Sequence, residues 1–228
     1  MRMIPFSQLP LNMQTEEVKP YYDILKSKTR SLLFKRVLDF IVAFMLFFIL
    51  LLPMIVIGLI IMFSSKGPVI YKQVRVTTFG REFRIWKFRT MKDGADSLGE
   101  LTVSDDDRIT GIGRFLRKYR LDELPQIFHV LSGKMSIVGT RPEVPVYVRE
   151  YTPEMMATLL MPAGVTSLAS IKFKDEAEML ENCDDANSVY INDILPKKME
   201  YNLEYLKDFS FRRDVKLILK TIKEVVSS

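Results

Sequence analysis

Cysteine and histidine are almost absent from this chain of 228 residues, which has one of each, Cys183 and His129. A single cysteine excludes a disulfide within the chain and is typical of a reducing compartment. With so few soft ligands the sequence also lacks the cluster that a zinc site needs. We therefore interpret His129 as a packing residue rather than a catalyst.

Charged residues are missing from one long stretch, Phe40 to Phe63, in which only Pro53 and Gly58 fall outside the aliphatic and aromatic set. At about 1.5 Å per residue, a helix over this stretch would be about 36 Å long, which is enough to cross a bilayer. A cleaved signal peptide fits poorly, because the run begins late, is too long and is not followed by a small-residue cleavage site.

Two features favour a re-entrant segment over a crossing. Pro53 lies near the middle of the run and is expected to bend or break the helix. Lysines and arginines flank the run on both sides, so the positive-inside rule gives no orientation and both flanks look cytoplasmic. We predict a helix–break–helix that enters and leaves one leaflet, with the break at Pro53. A proline-kinked span remains the alternative.

The rest of the sequence predicts an α+β fold, in which a compact, mostly helical domain with short strands lies at the membrane interface. Strands are expected in VIYKQVRV and REFRIWKF, which form a hairpin around Gly80, and in MSIVG and PAGVTSLASI. Helices are expected in GRFLRKYR, in PQIFHVL from Pro125 to Leu131, and in two amphipathic segments between Tyr190 and Val226. The stretch 93–113 is expected to be a loop with a short helix.

We divide the chain into an N-terminal lead-in of residues 1–31, a membrane segment of residues 32–65 and a catalytic domain of residues 66–228. Pro5, Pro10 and Pro20 interrupt any long helix in the lead-in. We expect it to be loosely attached.

Positive charge is concentrated next to the apolar run. Between Lys66 and Arg120 there are 13 Lys or Arg residues against 7 Asp or Glu, a surplus of 6 that slightly exceeds the +5 of the whole chain. Such a surface suits both anionic lipid headgroups and nucleotide diphosphates.

The stretch YRLDELPQ, residues 119–126, places Asp122 and Glu123 side by side in this basic region. A helix entrance is expected there, which favours anions and exposes backbone N–H groups to a phosphate-bearing ligand. Both carboxylates could face one Mg²⁺ ion, and an ionised aspartate could attack phosphorus directly with arginines stabilising the developing charge. The available arginines are Arg114, Arg117, Arg120 and Arg141. The alternative is that both acids only pair with these arginines or cap the helix.

From about Lys35 onward the chain carries several longer motifs in a fixed order: KRVLDF, GPVIYKQVRV, WKFRTM, DDRITGIGRFLRKYRLDELPQ, LSGKMSIVGTRPE and PAGVTSLASI. In these motifs it resembles the bacterial sugar transferase family, the monotopic phosphoglycosyl transferases that begin glycan assembly on polyprenol phosphate. No further apolar run precedes Lys35, which is typical of the small form of the family.

The resemblance implies a UDP-sugar donor, a polyprenol phosphate acceptor, bound Mg²⁺ and a ping-pong reaction that releases UMP. It implies that Asp122 is the nucleophile that carries the phosphosugar, and that Glu123 is its partner, with Mg²⁺ at both carboxylates. A helix broken at Pro53 and a catalytic face on the cytoplasmic side of the bacterial inner membrane are also implied. We assign substrate binding to Arg89, Arg114, Arg117, Arg141, Pro142 and Lys174.

The sequence departs from the family pattern at three positions. Thr140 replaces the first proline of the Pro-Arg-Pro motif that ends at Pro142, and Leu52 precedes Pro53 where some members have serine. Lys174 stands where many members have arginine, so a compact ammonium replaces a planar fork.

Two other functions are open. A non-enzymatic membrane scaffold could recruit acidic partners through its basic surface, and basic residues interleaved with Phe83, Trp86 and Phe88 could bind nucleic acid, which we do not favour. The sequence selects neither the donor sugar nor the oligomeric state, and a homo-oligomer is allowed.

Overall fold

The computed structural model describes residues 3–92, 94, 107–181, 183 and 185–226. These residues form a mixed, mostly helical domain with two small sheets and one long apolar helix, in agreement with the predicted α+β class. The predicted loop over residues 93–113 lies largely outside the described residues.

The secondary structure follows the chain in an order close to the predicted one. The α-helices are α1 (Lys19–Ser27), α2 (Thr29–Ser64), α3 (Gly111–Lys118), α4 (Ile127–Ser132), α5 (Pro145–Val148), α6 (Leu168–Lys172), α7 (Glu176–Glu181), α8 (Ala186–Val189), α9 (Leu195–Lys207) and α10 (Phe211–Val226). The strands are β1 (Ile70–Val76), β2 (Glu82–Phe88), β3 (Met135–Val138) and β4 (Ala163–Thr166). Short 3₁₀-helices cover Phe6–Gln8, Leu11–Met13, Thr78–Gly80, Leu121–Gln126 and Met155–Leu160, and a π-helical turn covers Tyr190–Ile194.

Strands β1 and β2 form the predicted antiparallel hairpin, with Ile70 opposite Phe88 and Val76 opposite Glu82. The connection turns at Gly80, whose φ of 72° lies in the left-handed region that glycine adopts without strain. Strand β2 then packs against the 3₁₀-helix that carries Asp122 and Glu123. The hairpin therefore forms one wall of the site described below.

Strands β3 and β4 pair in parallel, and two glycines let the chain come unusually close just beyond β3. A Cβ atom on Gly164 would lie 2.2 Å from the backbone nitrogen of Gly139, so a side chain there would force the segments apart. The backbone nitrogen of Gly164 donates to the carbonyl of Thr140 (2.8 Å). This hydrogen bond fixes the segment that leads into Arg141. The segment is held in this way although Thr140 replaces the first proline of the family motif.

Helix α2 is one continuous element that passes through Pro53, so the predicted interruption of the helix is not seen. Proline's fixed φ is compatible with helical geometry, and its cost is confined to a lost hydrogen bond and local crowding. One stripe of the helix packs on the domain along its whole length, and its other faces are exposed and apolar. The packed residues are Leu32, Lys35, Asp39, Ala43, Leu46, Leu50, Met54, Ile57 and Ile61. By length and composition α2 is able to cross a membrane.

Polar contacts tie both ends of α2 to the same domain. Just before its first turn the Nζ of Lys28 donates to the carbonyl of Phe209 (2.8 Å), and about two turns further Lys35 pairs with the buried Asp214 (2.8 Å). Beyond its last turn, Arg89 donates to the carbonyl of Ser65 (2.7 Å). The helix is therefore held at its two ends and along its length.

The N-terminal segment is not loosely attached, contrary to our expectation. Leu9, Met13, Val18 and Leu25 are buried in a core cluster that they share with residues of α9 and of the 3₁₀-helix Met155–Leu160. Because the prolines divide this segment into short pieces, its apolar residues do not follow one helical period. Their burial depends on the distant partners.

We predict that Leu25→Ala lowers the free energy of unfolding by about 2–5 kcal/mol, because Leu25 is fully buried and its loss leaves a cavity. Leu11→Ala is the matched control in the same segment, since Leu11 is 86% exposed. Thermal unfolding of the purified protein in detergent measures both. Equal unfolding temperatures for the two variants would contradict the packing of this segment.

Candidate active site

A short 3₁₀-helix, Leu121–Gln126, presents the two adjacent acids. Helix α3 ends at Lys118, and Arg120 takes a left-handed conformation (φ 56°) that is uncommon outside glycine and redirects the chain. The backbone nitrogen of Glu123 then donates to the carbonyl of Arg120 (3.3 Å). Asp122 and Glu123 thus lie in the first turn of a helix, as predicted, although helical structure begins before Pro125.

The geometry of this helix decides where its side chains point. A 3₁₀-helix has about three residues per turn, so neighbours diverge by about 120° and residues three apart share a face. Glu123 therefore shares a face with Gln126, and Leu121 shares another with Leu124. Asp122 stands on the third face.

Glu123 is engaged by two cations. Arg141 donates to both of its carboxylate oxygens, Nη1 to Oε2 at 3.0 Å and Nη2 to Oε1, and the Nζ of Lys87 lies 3.5 Å from Oε1. Burial opposes ionisation of Glu123, but Arg141 and Lys87 outweigh it and hold the pKa of this carboxyl well below its usual range. Glu123 is thus ionised throughout the physiological pH range.

Asp122 has a different environment. It is 7% exposed, and burial, reinforced by the neighbouring charge of Glu123, raises the pKa of Asp122 above its ordinary value. Lys87, Arg117 and Arg141 act in the opposite direction without cancelling the rise. The surroundings therefore move the pKa values of the two adjacent acids apart.

Both acids border a cavity of about 340 Å³. This volume lies within the range of about 300–1,000 Å³ that is usual for small-molecule sites. We call it the polar cavity, because cations from four segments surround its acidic end. These cations are Arg75, Lys87, Arg117, Arg120 and Arg141.

The far wall of the polar cavity is a hydrogen-bonded network around Lys198. Its Nζ donates to Oε2 of Glu176 (2.8 Å) and to the hydroxyl of Tyr190 (3.0 Å), and that hydroxyl donates to Oε1 of Glu143 (2.8 Å). Our sequence reasoning missed these residues. No local pattern marks them, because they come from three distant segments.

The structure brings four of the predicted substrate-binding residues to the polar cavity. Arg117, Arg141, Pro142 and Lys174 line it, and Lys174 also pairs with Glu224 (Nζ to Oε2, 3.6 Å).

The structure does not bring Arg89 and Arg114 to this cavity. Arg114 is exposed on α3, and Arg89 is buried beside Ser65 at the end of α2. Both positions are set by the elements that carry these residues, since α3 turns Arg114 outward and the end of β2 directs Arg89 toward α2.

Lys87 is a site residue that a sequence pattern could have identified. Alternate residues of a strand share one face. Phe83 and Ile85, the alternate residues before Lys87, are buried, so this lysine lies on the buried face. A lysine there requires a buried anion, which Glu123 supplies.

The aromatic residues considered for nucleic-acid binding belong to the core. Phe83 and Phe88 are buried, and the Trp86 ring packs against Phe128 and His129, so these rings do not form a stacking surface for bases. The Nε2 of His129 accepts a hydrogen bond from the Trp86 backbone (3.0 Å), and burial lowers the pKa of His129 to about 4. His129 is therefore a neutral packing residue, as predicted.

The side chains of the site fit Mg²⁺ only as an ion that is shared with a bound ligand. Within the described part of the chain, no group of three His, Cys, Asp or Glu side chains is arranged to hold a metal. Both oxygens of Glu123 are engaged by Arg141, whereas Asp122 borders the polar cavity. Mg²⁺ commonly binds through one or two carboxylates together with substrate phosphates and water. These residues fit an ion that binds together with a phosphate-bearing ligand.

Comparisons with known proteins point to one family. The family model described as "Bacterial sugar transferase" matches residues 30–228. The UDP-glucose:undecaprenyl-phosphate glucose-1-phosphate transferases of Klebsiella pneumoniae and Caulobacter vibrioides are 33% and 32% identical to the chain, over 93% and 85% of its length. The UDP-N-acetylgalactosamine-undecaprenyl-phosphate N-acetylgalactosaminephosphotransferase of Aeromonas hydrophila is 34% identical over 76% of the chain.

The coverage of these relatives differs. The chain spans 45% of the Klebsiella protein and 39% of the Aeromonas protein, but 70% of the Caulobacter protein. The relatives therefore include longer proteins and one of more similar size.

We predict that Arg141→Met destabilises the protein by about 2–4 kcal/mol at neutral pH, because it leaves the Glu123 carboxylate largely buried and without its principal cation. The pKa of Glu123 is held low in the folded protein, so this stabilisation is present above the unfolded pKa of about 4.3 and is lost as the pH falls further. The gap between wild type and variant should narrow in acid. Thermal unfolding across pH measures it.

The double variant Glu123→Gln/Arg141→Met provides the control. Removing both charges should recover part of the lost stability, since no buried charge is then left unpaired. Strictly additive losses, or a gap that does not change with pH, would contradict the pairing.

Proposed function

Since the chain belongs to the bacterial sugar transferase family, we propose that it transfers a sugar 1-phosphate from a UDP-sugar to a polyprenol phosphate in the membrane. One arrangement carries the most weight: the Asp122 carboxylate borders a cavity in which Lys87, Arg117 and Arg141 surround it with positive charge. That field attracts a diphosphate, and the carboxylate is an anionic nucleophile beside it.

In the first proposed step, a carboxylate oxygen of Asp122 attacks the phosphorus that bears the sugar. The bond between this phosphorus and the bridging oxygen of the diphosphate breaks, and UMP leaves with that oxygen. Arg117 lies on the cavity wall, where it would stabilise charge on the phosphoryl oxygens as phosphoryl transfer requires. Burial raises the pKa of Asp122, so its carboxylate is more basic than that of an ordinary aspartate, while Lys87, Arg117 and Arg141 act against this rise.

In the second proposed step, an oxygen of the polyprenol phosphate attacks the same phosphorus. The Asp122 oxygen–phosphorus bond breaks, the carboxylate is regenerated, and the product is a polyprenyl diphosphosugar. Glu123 would position Arg141 through its two hydrogen bonds. Because its pKa is held low, Glu123 is a weak base, and a positional role suits it better than proton transfer.

We assign Mg²⁺ to the same site, as an ion that the donor diphosphate and the Asp122 carboxylate would hold together, with Glu123 beside it. When bound, such an ion neutralises charge on the diphosphate and on the leaving phosphate. The cations of the polar cavity act on the same charge from the protein side.

We further propose that α2 is embedded in the membrane with both of its ends on one side, the cytoplasmic face of the bacterial inner membrane. Lys35 and Arg89 tie opposite ends of the helix to the same domain, which supports a topology with both ends on one side of the bilayer. The exposed faces of α2 are apolar and suit contact with lipid. A soluble nucleotide sugar and an embedded lipid phosphate could then meet at the domain surface.

We predict that Asp122→Asn lowers UMP release by at least about a thousandfold and abolishes protein-bound label from a radiolabelled donor, because an amide cannot form the acyl phosphate. UDP-glucose and UDP-N-acetylgalactosamine are the first donors to test, with Mg²⁺ and a polyprenol phosphate. Asp193→Asn, at an exposed acid outside the polar cavity, is the control and should retain activity.

Measuring the unfolding temperature of Asp122→Asn distinguishes a loss of chemistry from a loss of folding. Burial raises the pKa of Asp122 above its unfolded value, so this carboxyl lowers stability at neutral pH relative to an uncharged amide, and the Asn variant should unfold at the same temperature or higher. UMP release by Asp122→Asn near the wild-type rate would refute the assigned nucleophile. A wild-type protein that releases no UMP from any UDP-sugar would instead favour the scaffold.

The topology is tested with single cysteines on either side of α2. In a Cys183→Ser background, Ser27→Cys and Lys66→Cys both place a thiol at an exposed position. A membrane-impermeant thiol reagent should label both in inverted vesicles and neither in intact cells. Labelling of the two positions from opposite sides would show a full crossing.

A further inference from the structure

A second and larger cavity, of about 810 Å³, adjoins the polar cavity. We call it the apolar cavity, because aliphatic side chains from α2, α4, β4 and the 3₁₀-helix line part of it. They include Leu46 and Leu50 of α2, together with Leu124, Ile127, Val130 and Val165. Charged and polar residues, among them Asp175, Glu178 and Glu224, line the remainder.

The two cavities share one border. Arg117, Arg120, Glu123, Arg141, Ser170 and Lys174 line both of them. Four of these six residues are cationic, so the apolar cavity ends at a rim that suits an anionic head. The rim is also where the polar cavity meets Glu123, the neighbour of Asp122.

The 3₁₀-helix separates the two cavities, and its three faces serve different sides. Asp122 lines the polar cavity alone, Leu121 and Leu124 line the apolar cavity alone, and Glu123 lines both. This division follows from three residues per turn, which places neighbouring side chains about 120° apart. A ligand in the apolar cavity therefore lies one helix face away from the Asp122 carboxylate.

Gln126 gives independent evidence that the apolar cavity takes a polar head. It lines that cavity and is 1% exposed, yet its side-chain NH₂ finds no acceptor within the part of the chain that the structure describes. A buried donor without a partner costs about 1–3 kcal/mol. Gln126 shares a face with Glu123, one turn away, so it lies on the side of the 3₁₀-helix that borders the rim.

The apolar wall is continuous with the membrane segment. Leu46 and Leu50 lie on the stripe of α2 that packs on the domain, and Phe48, Ile49 and Leu52 on its other faces are exposed. Helix α2 therefore contributes both to the apolar cavity and to the exposed apolar surface. This arrangement fits a lipid that carries a single phosphate.

We propose that the apolar cavity is the acceptor site: it holds the first isoprene units of polyprenol phosphate, and the phosphate lies at the rim with Gln126 donating to it. This inference rests on the proposed function and adds a separate site for the second substrate. The acceptor oxygen attacks the phosphorus on Asp122 across the border at Glu123 and Arg141. The new oxygen–phosphorus bond forms as the bond to Asp122 breaks, and the donor never occupies the apolar cavity.

The test separates the two half-reactions in Leu50→Trp, which fills the apolar cavity with a larger ring. Formation of the protein-bound phosphosugar and UMP release in a single turnover without acceptor should stay within about twofold of wild type. The KM for polyprenol phosphate should rise at least about tenfold. Leu52→Trp is the control on the same helix, since Leu52 is 70% exposed and lines neither cavity, and both quantities should stay normal.

Gln126→Leu tests the head of the site without adding bulk. It removes the unpartnered donor, so stability should not fall, while the loss of a hydrogen bond to the acceptor phosphate should raise the acceptor KM by about tenfold. Retention of radiolabelled polyprenol phosphate by the purified protein, without any UDP-sugar, should fall in both variants. This binding measurement does not depend on knowing the donor.

The outcomes are distinct. A wild-type acceptor KM in both Leu50→Trp and Gln126→Leu would overturn the inference. It would also be overturned if the two substitutions reduced the binding of phosphatidylglycerol but not the binding of polyprenol phosphate. If wild type forms no covalent adduct with any donor, the proposed reaction fails, while acceptor retention still reports on the cavity. If Leu50→Trp unfolds, Gln126→Leu decides the matter alone.

Discussion

Three residues per turn over a stretch of six residues is the constraint on which the site depends. In the 3₁₀-helix Leu121–Gln126, adjacent side chains diverge by about 120°, so Asp122 and Glu123 have different partners although they are neighbours in sequence. The left-handed Arg120 starts this helix at the required angle. A regular α-helix would stack Glu123 on Ile127 rather than on Gln126, and the separation between the polar and apolar cavities would be lost.

The second requirement is a fixed relation between this helix and the membrane segment. Lys35 forms a buried pair with Asp214, whose other oxygen accepts from the Tyr205 hydroxyl (2.7 Å), and Asp39 accepts from Ser136 (2.7 Å). Such pairs add little stability by themselves, but breaking one is costly because a buried charge is left alone. These buried pairs therefore favour a single position of α2 on the domain.

Much of the fold could be predicted from local pattern, and the site only in part. The β1–β2 hairpin, α3 and the pair α9–α10 follow from periodicity and from Gly80. Asp122 and Glu123 were found because both acids stand together in a basic segment. The far wall around Lys198 could not be found, since its partners Glu143 and Glu176 are brought to it only by tertiary packing.

Two features could not be placed from local pattern. Arg89 and Arg114 lie away from the polar cavity, because the direction of a side chain depends on the element that carries it. The N-terminal segment looked loose because its apolar residues lack a period, yet Leu9 and Met13 find a surface that forms only when α9 is in place. Burial against distant residues leaves no periodic trace in a short, proline-rich segment.

Because the side chains of Asp122 and Glu123 point in different directions and have different partners, the two acids have different roles in the proposed reaction. Glu123 is paired with Arg141 and has a pKa held low, which makes it a poor nucleophile and a poor base. Asp122 is more basic than Glu123 and, unlike Glu123, borders only the polar cavity. Two substrates that react in turn at one phosphorus need access from two directions, and a partition with a nucleophile on one face and apolar side chains on another provides them. The pairing of Glu123 with Arg141 stabilises that partition, so in the proposed reaction the ion pair would act through position rather than through proton transfer.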